Sequence, residues 1–136
     1  MNGHVTETFL PSRGIRQCCP ISALLFILTI EVLSNKIRSD DCIKRIYVGK
    51  PSNAIKLWQL ADDMTLFIQN SISGTKALEY IEDFGDYSGV VLNKDKTRAM
   101  WLEEGTPVET ICGIPWADNY VKALGIVFSK KNLSEF

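Results

Sequence analysis

At 136 residues, with 46% hydrophobic and 23% charged side chains, the chain has the make-up of one globular domain, or a piece of one, built on a single core. A formal net charge of −1 excludes a freestanding nucleic-acid binder that works through a strong basic field. The four cysteines, with Cys18 and Cys19 adjacent, and the one histidine, His4, lack zinc-ligand spacing.

The first residues are polar and show no signal-peptide pattern, and the apolar run from Ala23 to Ile30 is too short to span a bilayer. The expectation is therefore an intracellular protein with reduced thiols and no membrane partner. Charge is uneven: residues 1–60 hold eight Lys and Arg against four Asp and Glu, and residues 61–136 hold seven against twelve. Separate phosphate-facing and metal-facing surfaces fit this split, and so does plain solvated surface.

In chain order, Asn2-Gly3 reads as a hairpin turn followed by a strand from His4 to Phe9. Pro11 to Cys19 reads as a loop carrying Arg13 and Arg16. Pro20 suits a first helical turn, with Ser22 as another candidate cap, and the helix runs to about Arg38. Leu24, Leu25, Ile27, Leu28, Ile30, Val32, Leu33 and Ile37 make it apolar nearly all round at its start, which predicts a central, buried helix closed by Asp40-Asp41.

Cys42 to Val48 is predicted as a strand ended by Gly49 to Asn53. Two apolar runs, Ile55 to Gln59 and Met64 to Ile68, flank Leu60-Ala61-Asp62-Asp63 and predict a hairpin with paired carboxylates at the bend. Taken alone, such a pair is either turn chemistry or a hard-oxygen site for a divalent cation. Ser73 is the predicted cap of a second helix over 74–87, with Ala77, Leu78, Ile81, Phe84 and Gly85 inward and Glu79, Glu82, Asp83 and Asp86 outward. Short strands are predicted over Val90 to Leu92, Arg98 to Leu102, Glu109 to Cys112 and Val121 to Phe128. Antiparallel strands with helices on one face make the fold class α+β.

Four segments in order resemble the reverse transcriptase domain of non-LTR (LINE-type) retrotransposons. Arg13 to Phe26, reading RGIRQCCPISALLF, is similar to that family's RGxRQGxPLSPLLF loop and helix. Leu60-Ala61-Asp62-Asp63 is similar to its (Y/F)ADD hairpin, Ser88 to Thr97 to its SGLxxNxxKT segment, and Ala123-Leu124-Gly125-Ile126 to its YLGI strand. The likeness runs from about Asn2 to Phe128.

The resemblance implies a palm-like antiparallel sheet that aligns an RNA template, a DNA primer and an incoming deoxynucleoside triphosphate, with two Mg2+ ions held by carboxylates. Asp62 and Asp63 match the metal-binding pair, and Gln17 matches a residue that positions the nucleotide. Lys96 matches the lysine of the SGLxxNxxKT segment, where a cation steadies the triphosphate or protonates pyrophosphate. Arg13 and Arg16 stand where template or nucleotide phosphates would pass.

Three positions depart from the family pattern. Cys18 replaces a glycine that permits close backbone approach, so its side chain is expected to crowd the nucleotide or template pocket. Leu60 replaces an aromatic residue, and Ala23 a proline. The family's third metal-binding aspartate belongs to a strand upstream of the arginine loop, and no residue before Asn2 supplies it. The sequence is thus expected to be a single partial palm domain over 1–136, truncated at the N-terminus, with most of the fingers and the thumb absent. It is expected to be inactive alone and prone to self-association through an exposed sheet edge. The alternative is a decayed or repurposed fragment acting as a non-catalytic structural or interaction module.

Overall fold

The computed structural model describes residues 19–47, 50, 52–102 and 110–129. The predicted hairpin turn at Asn2-Gly3, the strand His4 to Phe9 and the arginine loop fall outside the described residues, as do Val48 and Glu109. The described elements are two helices and six short strands: α1 (Pro20–Ser39), β1 (Ile46–Tyr47), β2 (Ala54–Ile55), β3 (Leu57–Leu60), β4 (Asp63–Leu66), α2 (Ser71–Ser88), β5 (Tyr120–Ala123) and β6 (Ile126–Ser129). The mixture of helix and antiparallel strand is as expected. The strands, however, form three separate two-stranded ladders, β1–β2, β3–β4 and β5–β6, rather than one continuous sheet.

Helix α1 begins with Pro20 at its first position, where a missing N–H costs nothing, and Cys19 rather than Ser22 is the residue before it. Its predicted all-round burial holds for only half its length. Ile30, Leu33, Ser34 and Ile37, spaced three and four apart, form the buried stripe. Leu24, Ile27, Leu28 and Val32 are exposed, Leu28 at 66%. The reason is placement: the helix meets α2 and β3 through its C-terminal turns, and no described element covers the apolar side of its N-terminal turns. By length and composition α1 is the one helix among the described residues that could cross a membrane, yet its C-terminal half is committed to the core.

Helix α2 starts three residues earlier than predicted, because Asn70 and not Ser73 caps it. The Asn70 Oδ1 accepts from the Ser73 N–H at 2.8 Å. Ser73 is instead buried in the first turn, where its hydroxyl accepts from the Lys44 N–H at 2.9 Å and donates to the Cys42 carbonyl at 3.3 Å. Gly89 ends the helix at φ 76°, its N–H returning to the Gly85 carbonyl at 2.8 Å.

The predicted strand from Cys42 is shorter than expected, because the chain first turns on Asp40. The Cys42 N–H bonds to Asp40 Oδ1 at 2.7 Å and the Ile43 N–H to its carbonyl at 3.2 Å. Pairing begins at the Arg45–Ile68 bridge and continues through Ile46 opposite Ile55. Neither Val90 to Leu92 nor Arg98 to Leu102 forms a strand. Asn93 ties its carbonyl into the turn that follows, and Ala99 makes a single bridge to Trp116. At residues 111–114 a turn through Cys112 and Gly113 replaces the predicted strand, and 120–129 is two strands around Leu124-Gly125 rather than one.

Ile30, Leu33, Ile37, Ile43, Leu57 and Ala77 make the main core, flanked by Met64, Leu66 and Ile68. At roughly 1.5–3 kcal/mol per buried aliphatic side chain, this cluster supplies much of the drive that seats β3–β4 on the helices. A second cluster of Leu78, Ile111 and Ile114 lies on the other flank of α2. Lys56, only 6% exposed, sits between β2 and β3 and donates to the carbonyls of Ile37, Arg38 and Asp40 at 3.3, 2.8 and 2.6 Å. It answers the carbonyls left over at the end of α1, and the cation suits the negative end of the helix dipole.

Candidate metal centre at the hairpin turn

Strands β3 and β4 pair Leu57 with Leu66, Trp58 with Thr65, Gln59 with Met64 and Leu60 with Asp63. Only Ala61 and Asp62 remain for the turn, so the carboxylates stand at its tip and at the first position of β4. Both aspartates are exposed. Ala61 has φ 53°, in the left-handed region that favours glycine.

Strand alternation sorts the side chains. Met64, Leu66 and Ile68 pack on the core. Asp63, Thr65 and Phe67 therefore point to the opposite face, with Leu60 and Trp58 of β3 across from them. On that face Trp58 and Phe67 meet edge-on with centroids 4.7 Å apart, and Phe128 of β6 lies 6.4 Å from Trp58 and 6.3 Å from Phe67. Leu60, in place of the family's aromatic residue, is exposed.

Beside the core packing, a hydrogen-bonded side chain ties the hairpin turn to α1. The buried Ser34 hydroxyl donates to Gln59 Oε1, and Gln59 Nε2 donates to the Ala61 carbonyl at 3.3 Å. Sequence reasoning passed over Gln59, Ser34 and Lys56, although each carried a signal. Ser34 interrupts a stripe of Ile and Leu at helical spacing, and Gln59 and Lys56 interrupt apolar strand runs.

Lys96 lies exposed in the turn that Asn93 organises, where its N–H meets the Asn93 carbonyl at 3.2 Å and side-chain oxygen at 3.1 Å. No hydrogen bond or ion pair joins it to Asp62 or Asp63, so the structure does not gather the three predicted residues into one bonded cluster. The lysine beside it, Lys94, pairs with Glu82 of α2 at 3.3 Å. Arg13, Arg16, Gln17 and Cys18 lie outside the described residues.

Among the described residues no group of three or more His, Cys, Asp or Glu side chains is placed to hold a metal ion. The donors at the turn nonetheless suit one class of cation. Two adjacent, water-accessible carboxylates are hard oxygen ligands, and magnesium is commonly held by one or two carboxylates while waters and substrate phosphates complete its octahedron.

Comparison with known proteins decides the ancestry. A family model described as reverse transcriptase (RNA-dependent DNA polymerase) matches residues 1–128. The chain belongs to the reverse transcriptase family. Reverse transcriptases generally use divalent metal, which accords with the carboxylate pair on the hairpin. A retrovirus-related Pol polyprotein from the type-2 retrotransposable element R2DM of Drosophila melanogaster is 33% identical over 99% of the chain. A 149 kDa protein of transposon TX1 from Xenopus laevis is 27% identical over 95% of it. The chain spans 12% and 10% of the lengths of these two relatives.

Proposed function

We propose that this chain is the metal-holding palm segment of a retrotransposon RNA-directed DNA polymerase, with Asp62 and Asp63 as two of the ligands of catalytic Mg2+. The observation that carries the reading is the placement of both carboxylates, exposed and adjacent, on a two-residue turn whose strands are seated on the helices. The match to the reverse transcriptase family over residues 1–128 supports it. When bound, magnesium would act as a Lewis acid that activates the primer 3′-hydroxyl and offsets charge on the triphosphate.

The chain's own residues supply the rest of the proposed work. Asp62 and Asp63 bind the cation through hard carboxylate oxygens. Lys96 contacts the triphosphate when template, primer and nucleotide are in place. Arg13, Arg16 and Gln17 hold nucleotide and template, and Cys18 narrows that pocket. The partners in this reading are an RNA template, a DNA primer and deoxynucleoside triphosphates in an intracellular setting. Among the described residues no third carboxylate joins this pair, and the 136 residues alone are expected to show no templated primer extension.

The test is calorimetric titration of the chain with Mn2+ as a stand-in for Mg2+. One binding event that is lost in both Asp62→Asn and Asp63→Asn supports the reading. Binding unchanged by either substitution contradicts it.

A second reading, a non-catalytic interaction module, draws on the exposed apolar side of α1, where Leu24, Ile27, Leu28 and Val32 face solvent. The unpaired edges of the β3–β4 ladder among the described residues add a route to self-association. Concentration-dependent dimerisation that survives Asp62→Asn and Asp63→Asn would favour it.

A further inference from the structure

We infer that Gln59 is the positioning residue of the Asp62-Asp63 turn, an amide that holds Ala61 in its left-handed conformation and thereby sets the direction of both carboxylates; this rests on the metal-binding reading above. Gln59 is unusual in its place. It occupies a position of β3 whose neighbours in register, Leu57, Leu66 and Met64, all belong to the core. A polar side chain there costs desolvation unless both ends of its amide are paired.

Both ends are paired, to partners with different roles. Oε1 accepts from the hydroxyl of Ser34, a residue fully buried in α1. Nε2 donates to the carbonyl of Ala61, the first residue of the turn. The two bonds fix the orientation of the amide, since only its oxygen can accept from Ser34 while its nitrogen donates to Ala61. The rigid end is the helix and the adjustable end is the turn.

Ala61 needs such a hold. Its φ of 53° is a conformation that costs a non-glycine residue energy and persists where surroundings over-determine it. Asp63 is held in register opposite Leu60, so a change in the backbone angles of Ala61 must be absorbed at Asp62, which turns its carboxylate relative to that of Asp63. Both carboxylates must converge on one cation, and small angular errors degrade affinity.

The test compares the 136-residue wild-type chain with Gln59→Met and with the double variant Ser34→Ala/Gln59→Met. Methionine keeps the length of glutamine without its hydrogen bonds. The double variant removes both polar groups together, so the buried interface keeps its packing and leaves no orphaned hydroxyl. Two readouts are taken: the φ of Ala61 from its N–H/Hα coupling and Cα and Cβ shifts, and the dissociation constant for Mn2+. The expected result is loss of the positive φ in both variants, with Mn2+ affinity lower by about 10- to 100-fold. A merely structural role predicts recovery of both readouts in the double variant, and that recovery overturns the inference. Retention of the positive φ in Gln59→Met overturns it as well. A wild-type chain that binds no Mn2+ while Ala61 still depends on Gln59 overturns the metal reading and supports the hold on the turn.

Discussion

The Tyr80 hydroxyl of α2 donates to Asp40 Oδ2 at 2.6 Å, fastening the middle of the second helix to the residue that ends the first. This phenol, followed by the Cys42 N–H, holds the Asp40 carboxyl below the usual carboxylate range. The same bond, with burial adding to it, pushes the Tyr80 phenol up. A lowered acid contributes stability that is present above its unfolded value and lost as pH falls through the folded one. A raised phenol contributes stability that is present below its unfolded value and lost as pH rises through the folded one. Tyr80→Phe is therefore expected to lower the melting temperature by a constant amount between about pH 5 and 9. The gap to wild type should narrow in acid and in alkali, which thermal melts extended below about pH 5 and above about pH 9 will measure.

Lys56 gives the second prediction. Its ammonium satisfies three carbonyls at the end of α1, while burial, and next the charge of Arg45, lower its pKa. Lys56→Met keeps the stem and strips the donors, and is expected to cost about 1–3 kcal/mol in urea unfolding. The gap to wild type should widen at strongly alkaline pH. The wild-type lysine gives up its proton there in the folded state before the unfolded one, so wild-type stability rises with pH through that range while the methionine variant gains nothing from it.

Two glycines of α2 separate backbone from side-chain crowding. A Cβ at Gly85 would stand 2.6 Å from the Val90 carbonyl oxygen, and backbone there has no room to give. Gly85→Ala is expected to destabilise by about 1–3 kcal/mol despite the gain in helix propensity. A Cβ at Gly74 would meet the Cδ1 atoms of Ile111 and Ile68 at 3.0 Å, both ends of side chains that can shift. Gly74→Ala should fall within about 1 kcal/mol of wild type, since propensity offsets the repacking.

The β5–β6 hairpin turns on Leu124 at φ 52° and Gly125 at φ 81°, both left-handed, as the tightest hairpin turns require. Leu124→Asn is expected to raise stability by about 1 kcal/mol, because asparagine tolerates that region better than leucine. Denaturant midpoints compare the two. The same residue explains why the sequence predicts one strand here: nothing in Ala123-Leu124-Gly125-Ile126 except the glycine marks a reversal.

What was legible in the sequence follows from how local each signal is. Both helices are legible, since Pro20, Asp40 and Gly89 punctuate them, α1 carries a long apolar run and α2 has apolar residues at helical spacing. The carboxylate turn was visible too, because Ala61-Asp62 sits between two apolar runs that pair in register. The bare apolar side of α1 was not visible, because periodicity reports that a face is apolar and not whether anything lies against it. Nothing local distinguishes Ser73 from Asn70 as a cap; its hydroxyl bonds reach 29 and 31 residues back, to Lys44 and Cys42. Gln59 was missed for the same reason, as its partner Ser34 is 25 residues away.

The central claim, that Asp62 and Asp63 form a metal-holding turn, is most directly tested by nuclear magnetic resonance of the chain during Mn2+ addition. Paramagnetic broadening centred on the amides of Ala61 to Met64, reversed by excess Mg2+ and absent in the Asp62→Asn/Asp63→Asn double variant, is the predicted result. Broadening spread over the other acidic surfaces of α2 with residues 61–64 spared, or unchanged in the double variant, would contradict it.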